Sequence, residues 1–306
     1  MKITPSTSRS VQSKITPRNQ ALMCLMTYAL LVLAGCAEMP QEKVELPLLL
    51  KGVDLSAPIS TKQDVNVTLD RAELAFGPLY LCAGVTAGDL CETARLEWLG
   101  SAVVDMTSPE AQRVGALSGV TGSVRSWMYD LGISSQLTQL EPITLDAARE
   151  LDHSSLVLEG DAQVGEITIP FRAKVSVQQT EMTELGVPVV RKGTSTPFSQ
   201  EVTGAEEGLM IQFDPSAWVR TLDFSTYVRS DTCEVDGEPL VCRGTEELSC
   251  EGAEVTSSRD CAAGGEICLP RTGCASHLEV SPDSRLYRAL RNALMSGARP
   301  SFQWLD

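Results

Sequence analysis

The sequence predicts a mostly β protein: an antiparallel β-sandwich with a disulfide-rich insertion and a short C-terminal helix. Three observations carry that expectation. Apolar and polar residues alternate with period two along several stretches, most clearly over 167–177. Six Cys crowd between Cys233 and Cys274, where large apolar residues are scarce. Helical periodicity sustained over several turns occurs only after Ser281. The 306 residues are 43% hydrophobic, enough to bury a core rather than remain disordered.

The first 36 residues read as an address. Lys2, Arg9, Lys14 and Arg18 stand without any acidic neighbour, and an apolar stretch from Ala21 to Leu33 follows. That run is shorter than the roughly 20 residues a spanning helix needs, and it ends in small residues, as a secretory signal does. Its last four positions, Leu33-Ala34-Gly35-Cys36, resemble the lipobox of bacterial lipoproteins. The resemblance implies that Leu33, Ala34 and Gly35 are read by the signal peptidase. It also implies that Cys36 becomes the lipidated first residue, carrying thioether-linked diacylglycerol and an amide-linked fatty acid such as palmitate. Several acyl chains hold a protein on a bilayer where a single one does not. Ala37, in place of an Asp that often retains such proteins at the inner membrane, points to the outer membrane. The expected organisation is a removed leader over 1–35, a lipidated N-terminus and tether over 36–62, and the sandwich over 63–306 with the Cys-rich insertion at 230–278. Removal of the four leader cations from a chain of net charge −15 leaves −19. A charge of that sign keeps the body soluble and argues against nucleic acid as a partner.

Within the body, Asp64–Asp70 alternates strictly and predicts a half-buried strand. Leu74–Cys82 continues apolar, with Gly77-Pro78 marking a bend or bulge. Further strands are expected at 94–105, 121–130, 187–191, 207–213 and 223–229. Leu156–Leu158 is expected to pair with 167–177 across a glycine-bounded connection, and Pro170 places that strand at an edge or a bulge. Thr144–Leu151 predicts a short helix. Asp214-Pro215 predicts a single helical turn, with Asp as cap and Pro in the first position. In the terminal helix, Ser281 caps, Pro282 starts, and Leu286, Ala289, Leu290, Ala293 and Leu294 form one stripe, stopped by Gly297 and Pro300. Phe302 and Trp304 then alternate as a closing strand.

Ten Cys suit an oxidising compartment. Setting aside Cys24 in the leader and Cys36, eight remain. Cys82 and Cys91 flank a short glycine-containing loop and predict a disulfide. Cys233, Cys242, Cys250, Cys261, Cys268 and Cys274 predict three more, in a segment too poor in apolar residues to fold unstapled; six Cys allow 15 connectivities and the spacing selects none. No Cys-x-x-Cys interval occurs, which argues against zinc or an iron–sulfur cluster, so no metal and no cofactor is expected. Asp236-Gly237 predicts a hairpin turn, and Leu269–Gly273 an exposed loop.

No catalytic residue emerges. Gly115–Gly119 has the composition of a nucleophile elbow but not its spacing. His153 and His277, the two His of the chain, fit solvent-facing positions. Glu206-Glu207 and Glu246-Glu247 are adjacent carboxylates without a fixed separation. Trp98, Trp127, Trp218 and Trp304 read as packing residues. The function expected is a non-enzymatic binding or structural module at the outer membrane, tied to the bilayer by its lipid and open to an envelope protein partner. The alternatives are an exported hydrolase with an acidic site and a periplasmic binder of cations or small ligands.

Overall fold

Lys43–Lys51 is the strand around which the larger sheet is assembled. The computed structural model describes residues 41–85, 91, 94–134, 142–178, 190–193, 198–228, 232–234, 239–270, 272–296 and 299–306. In that sheet of eight strands, Lys43–Lys51 lies between Gln112–Val120, to which it is antiparallel, and Gly208–Gln212, to which it is parallel. Leu46, Leu48 and Leu50 alternate inward and are buried. This corrects the tether expected over 36–62: residues 43–51 belong to the body, whose compact unit starts at Glu42. The alternation Val44, Leu46, Leu48, Leu50 carries the signal, masked by Pro47 and by the apolar Leu49 on the other face.

The second sheet has six strands and is centred on Asn66–Phe76, Leu156–Val164 and Ile167–Val175. The last two form a hairpin whose turn is only Gly165-Glu166, so the first strand runs well beyond the expected 156–158. Gly165 takes φ +60°, which glycine adopts without a Cβ penalty. Pro170 lies opposite Asp161, with its imide nitrogen on the side where only the two-residue strand Leu278–Glu279 pairs, at Phe171 and Arg172. The fold is a mostly β sandwich, antiparallel throughout its main ladders apart from the pairings of Lys43–Lys51 with Gly208–Gln212 and of Ile167–Val175 with Leu278–Glu279.

Two expected strands divide between the sheets. The stretch 94–105 becomes Ala94–Trp98 in the larger sheet and Ala102–Asp105 in the smaller, with Leu99-Gly100-Ser101 as the crossing. The stretch 74–82 crosses likewise at Gly77-Pro78, from Asn66–Phe76 to Leu79–Cys82. Both crossings meet around Phe76, whose ring packs on Trp98, Tyr129 and Phe213 at centroid distances of 6.1, 5.2 and 5.2 Å. The region 121–130 is split into Gly122–Val124 and Ser126–Tyr129, and the latter pairs with Val190–Gly193. Residues 187–189 of the expected 187–191 strand lie outside the described residues.

Of the strand expected over 223–229, the described residues 223–228 form no strand, and 229 lies outside the described residues. Asp223 accepts hydrogen bonds from the backbone N–H and hydroxyl of Ser225 and closes a 3₁₀ turn over Ser225–Tyr227, with Phe224 buried against Phe171. The short helices form at Asp146–Glu150 and Ser216–Val219, the latter with Asp214 accepting from the N–H of Ser216. The terminal helix is Arg285–Ser296 and begins one turn later than Ser281-Pro282 suggests. Ser284 is the cap, accepting from the N–H of Tyr287, while Leu286, Leu290, Ala293 and Leu294 are buried. Ser301–Leu305 closes the large sheet beside Gly208–Gln212.

Candidate functional site

Four disulfides join all eight Cys of the body. Cys82–Cys91 closes the loop at one end of Leu79–Cys82, and its sulfurs pack with Tyr80 and Met128. Burial, with help from Asp130 and Glu97, pushes the Tyr80 hydroxyl up to about 12. The six clustered Cys pair as Cys233–Cys250, Cys242–Cys268 and Cys261–Cys274.

These three bridges organise a small module. Leu240–Arg243, Glu246–Glu251 and Glu254–Asp260 form an antiparallel sheet, and Ile267–Leu269 with Gly273–Ala275 forms a hairpin. Cys242–Cys268 and Cys261–Cys274 fasten the hairpin to the sheet, and Cys233–Cys250 holds the incoming chain to the middle strand. Buried apolar residues are few: Val241, Leu248 and Leu269. Leu269 joins the main core, with Ile267 and Ala275 packed against it, so the expected loop Leu269–Gly273 leaves from a buried base; Thr272 is exposed, and 271 lies outside the described residues. The module ends on Leu278–Glu279, which adds to the edge of the second sheet. Its far strand, Glu254–Asp260, exposes all seven residues. Asp236-Gly237 lies outside the described residues, as do Leu33, Ala34, Gly35 and Cys36.

Glu246 and Glu247 point to opposite faces, as neighbours in a strand must. Glu246 is exposed, whereas Glu247 turns to the hairpin and accepts the N–H of Cys274 at 2.7 Å. The Glu247 carboxylate and the sulfurs of Cys261 and Cys274 lie within 4.8 Å of one another. The two sulfurs are bonded to each other and have no thiolate to offer, so in this oxidised form the trio cannot ligate a metal. Glu206 and Glu207 part in the same way. Glu207 is exposed; Glu206 is buried and accepts the N–H groups of Thr203 and Gly204 at 3.0 and 2.9 Å and the Thr203 hydroxyl at 3.1 Å. Burial alone would raise its pKa, but this donor set outweighs it and holds the carboxyl below its ordinary value.

The outer face of the second sheet carries an ionic ladder. The register places Glu159 opposite both Arg71 and Arg172, and Arg172 opposite Glu279. Arg71 reaches Glu159 at 3.0 Å and Glu73 at 2.5 Å; Arg172 reaches Glu159 at 3.1 Å and Glu279 at 3.8 Å. His277 contacts Glu279 through Nε2 at 2.7 Å and Ser276 through Nδ1 at 2.9 Å. Burial works against ionisation of Glu159, but hydrogen bonds from Arg172 and Arg71 prevail and lower its pKa. His153 is exposed beside Asp152, both in the left-handed region at φ 59° and 55°, and Lys174 holds Asp152 below its ordinary pKa through a 2.8 Å hydrogen bond. The two His stand on separate turns; His277 lies between the hydroxyl of its chain neighbour Ser276 and the Glu279 carboxylate, on a bend. A general acid needs a raised carboxyl pKa; Asp152, Glu159 and Glu206 are all shifted down instead.

Gly115–Gly119 lies inside Gln112–Val120 and forms no elbow. A Cβ on Gly119 would overlap the carbonyl of Arg95 on the neighbouring strand, and one on Gly115 would meet the Trp98 indole at 2.6 Å. The glycines are there for close packing. Trp98, Trp127 and Trp218 are buried, and Trp304 donates its Nε1–H to the Phe198 carbonyl at 3.2 Å. No described helix is long and apolar enough to cross a membrane.

No family model matches the sequence, and no curated protein does. Among solved structures, MbnP from Methylosinus trichosporium shares 10% identity, with 61% of this chain and 80% of that chain covered at a TM-score of 0.35, a likeness too remote to bear on function.

Proposed function

We propose that this protein is a cell-envelope lipoprotein, anchored in the outer membrane by acyl chains on Cys36, whose sandwich presents the disulfide-stapled module as a non-enzymatic binding or structural element. The observation that carries the reading is the complete pairing of the body's eight Cys into disulfides, a state that fits an exported chain. The Leu33-Ala34-Gly35-Cys36 signature supports the anchor. The surface offered to a protein partner is Glu254–Asp260, a fully exposed strand at the edge of its sheet, where an extended segment of another envelope protein would add by main-chain hydrogen bonds.

The test is fractionation of cells producing Cys36→Ser beside the unaltered chain. The unaltered protein is expected with the outer membrane and Cys36→Ser in the soluble envelope or unprocessed. Equal membrane partitioning of the two defeats the anchor.

A further inference from the structure

We propose that the edge strand Glu254–Asp260 receives an extended peptide segment bearing a Lys or Arg toward each end of the stretch it pairs; the inference rests on the reading of this strand as the surface offered to an envelope protein.

The strand is open on one side. It follows Leu240–Arg243 and Glu246–Glu251 in the order of the module's sheet, and no described strand pairs with its outer side. An edge strand turns every second N–H and C=O outward, where another chain can meet them. All seven residues are exposed, and the middle ones, Thr256, Ser257 and Ser258, are too small to cover the backbone. The ladder available there is short. Ser257 lies opposite Ser249 but Val255 lies opposite Cys250, so Thr256 is the extra residue of a bulge, and its hydroxyl donates to the Ser249 carbonyl at 3.2 Å. A bulge bends the strand and interrupts pairing. Main-chain hydrogen bonds alone are therefore a weak hold on this edge, and side-chain charge has to select the partner.

Register sets that charge. Asp260 stands opposite Glu246 at one end of the paired strands, and Glu254 stands opposite Glu251 at the other. Like charges directly across a ladder repel. All four carboxylates are exposed, and among the described residues none of them reaches a Lys or Arg. Asp260 accepts the N–H of Ala262 at 3.0 Å. The cation of the strand, Arg259, is turned to other acids: it stands opposite Glu247 and reaches Glu266 at 2.6 Å. Glu246 and Glu251 are an odd number of positions apart in one strand, so the two repelling pairs lie on opposite faces of the sheet. A cation brought to either end relieves one repulsion, and an added strand with a basic residue near each end relieves both. A second copy of this chain is a poor occupant, because it carries the same excess of acid, a net charge of −15.

The experiment uses the full-length protein in nonionic detergent and fluorescein-labelled peptides read by anisotropy, with empty micelles as the blank. One peptide alternates Val and Thr and has a Lys at each end; the second has a Glu at each end; the third is the Lys-ended peptide N-methylated at every internal peptide bond. The Lys-ended peptide is expected to bind about tenfold more tightly than the Glu-ended one, and N-methylation to abolish binding. Glu251→Gln/Glu254→Gln is expected to weaken the Lys-ended peptide about threefold while the protein keeps its cooperative thermal unfolding. Equal binding of the Lys-ended and Glu-ended peptides, or no effect of Glu251→Gln/Glu254→Gln, overturns this inference and leaves the edge strand standing as a partner surface. Failure of all three peptides to bind, or binding of the N-methylated peptide as tightly as its parent, overturns the edge strand as a partner surface and this inference with it. The anchor is tested apart from both by Cys36→Ser.

Discussion

Cys268 and Cys274 stand directly opposite each other in a two-stranded ladder, yet each is bonded elsewhere, to Cys242 and Cys261. Four sulfurs thus pack in one cluster while the native pairing avoids the shortest link across the hairpin. That arrangement makes the pairing sensitive to single substitutions. Cys242→Ser leaves a Cys268 thiol facing Cys274. Its thiolate is expected to attack the Cys274 sulfur, forming Cys268–Cys274 and releasing Cys261 as thiolate. Non-reducing peptide mapping reads the result; an intact Cys261–Cys274 bond with free Cys268 counts against it. The double variant Cys242→Ala/Cys268→Ala removes the attacking thiol. It should keep the other bridges and lose about 2–4 kcal/mol of unfolding free energy.

Stability should fall in acid through the carboxyls whose pKa is depressed. Glu206 and Glu159 both titrate below their ordinary 4.5 in the folded protein. A depressed folded pKa means that the unfolded chain takes up protons first, so their contribution is present above about pH 4.5 and is lost as pH falls through the folded values. Glu206→Gln should reduce the drop in urea midpoint between pH 6 and pH 3. An unchanged slope would sink this assignment.

The two acids should differ sharply at neutral pH. Glu206 is buried and satisfies two backbone N–H groups, so Glu206→Ala should cost about 2 kcal/mol. Glu159 lies on the outer face with its side chain 26% exposed between two arginines. Glu159→Gln should cost about 1 kcal/mol or less, and less again in molar salt. Chemical denaturation at low and high salt separates them.

Close strand packing predicts the hierarchy of glycine substitutions. Gly119→Ala and Gly160→Ala drive a Cβ into the backbone carbonyls of Arg95 and Thr68 on neighbouring strands, and each should cost more than about 3 kcal/mol or abolish folding. At Gly165 nothing lies within 4 Å and only the left-handed φ opposes a side chain, so Gly165→Ala should cost about 1–2 kcal/mol. Thermal denaturation of the three variants orders them.

The body should need Lys43–Lys51. A chain starting at residue 63 loses the strand that joins Gln112–Val120 to Gly208–Gln212 and is expected to be insoluble, whereas one starting at residue 42 folds. Within the intact protein, Leu48→Ala, at a fully buried position, should cost about 2–5 kcal/mol. A soluble, cooperatively unfolding 63–306 fragment would contradict the role given to this strand.

Much of the architecture was legible where a single local rule acts. The period-two run after Ile167 is a strand with Phe171, Ala173 and Val175 inward, Asp214 caps the turn at Ser216, and the Leu286-Leu290-Ala293-Leu294 stripe faces the core. Local rules failed where two competed. Pro47 hid a central strand, since a proline inside a sheet argues against one. The stretch 223–229, with Phe224, Tyr227 and Val228, was expected as extended chain, but the Asp223 carboxylate captured the backbone of Ser225 and turned it. The glycines of 115–119 carry no local signature that separates a turn from the close approach of a neighbouring strand.

By itself the sequence determined the class of the fold and the division of the body's cysteines into a pair and a cluster of six, because alternation and residue counts are properties of the chain. Only the tertiary structure decided which sulfurs join, which carboxylate of each adjacent pair turns inward, and that Arg71, Glu159, Arg172 and Glu279 line up across four strands. Each of those depends on register between segments far apart in the chain, and a one-residue slip in register would send every one of these side chains to the opposite face.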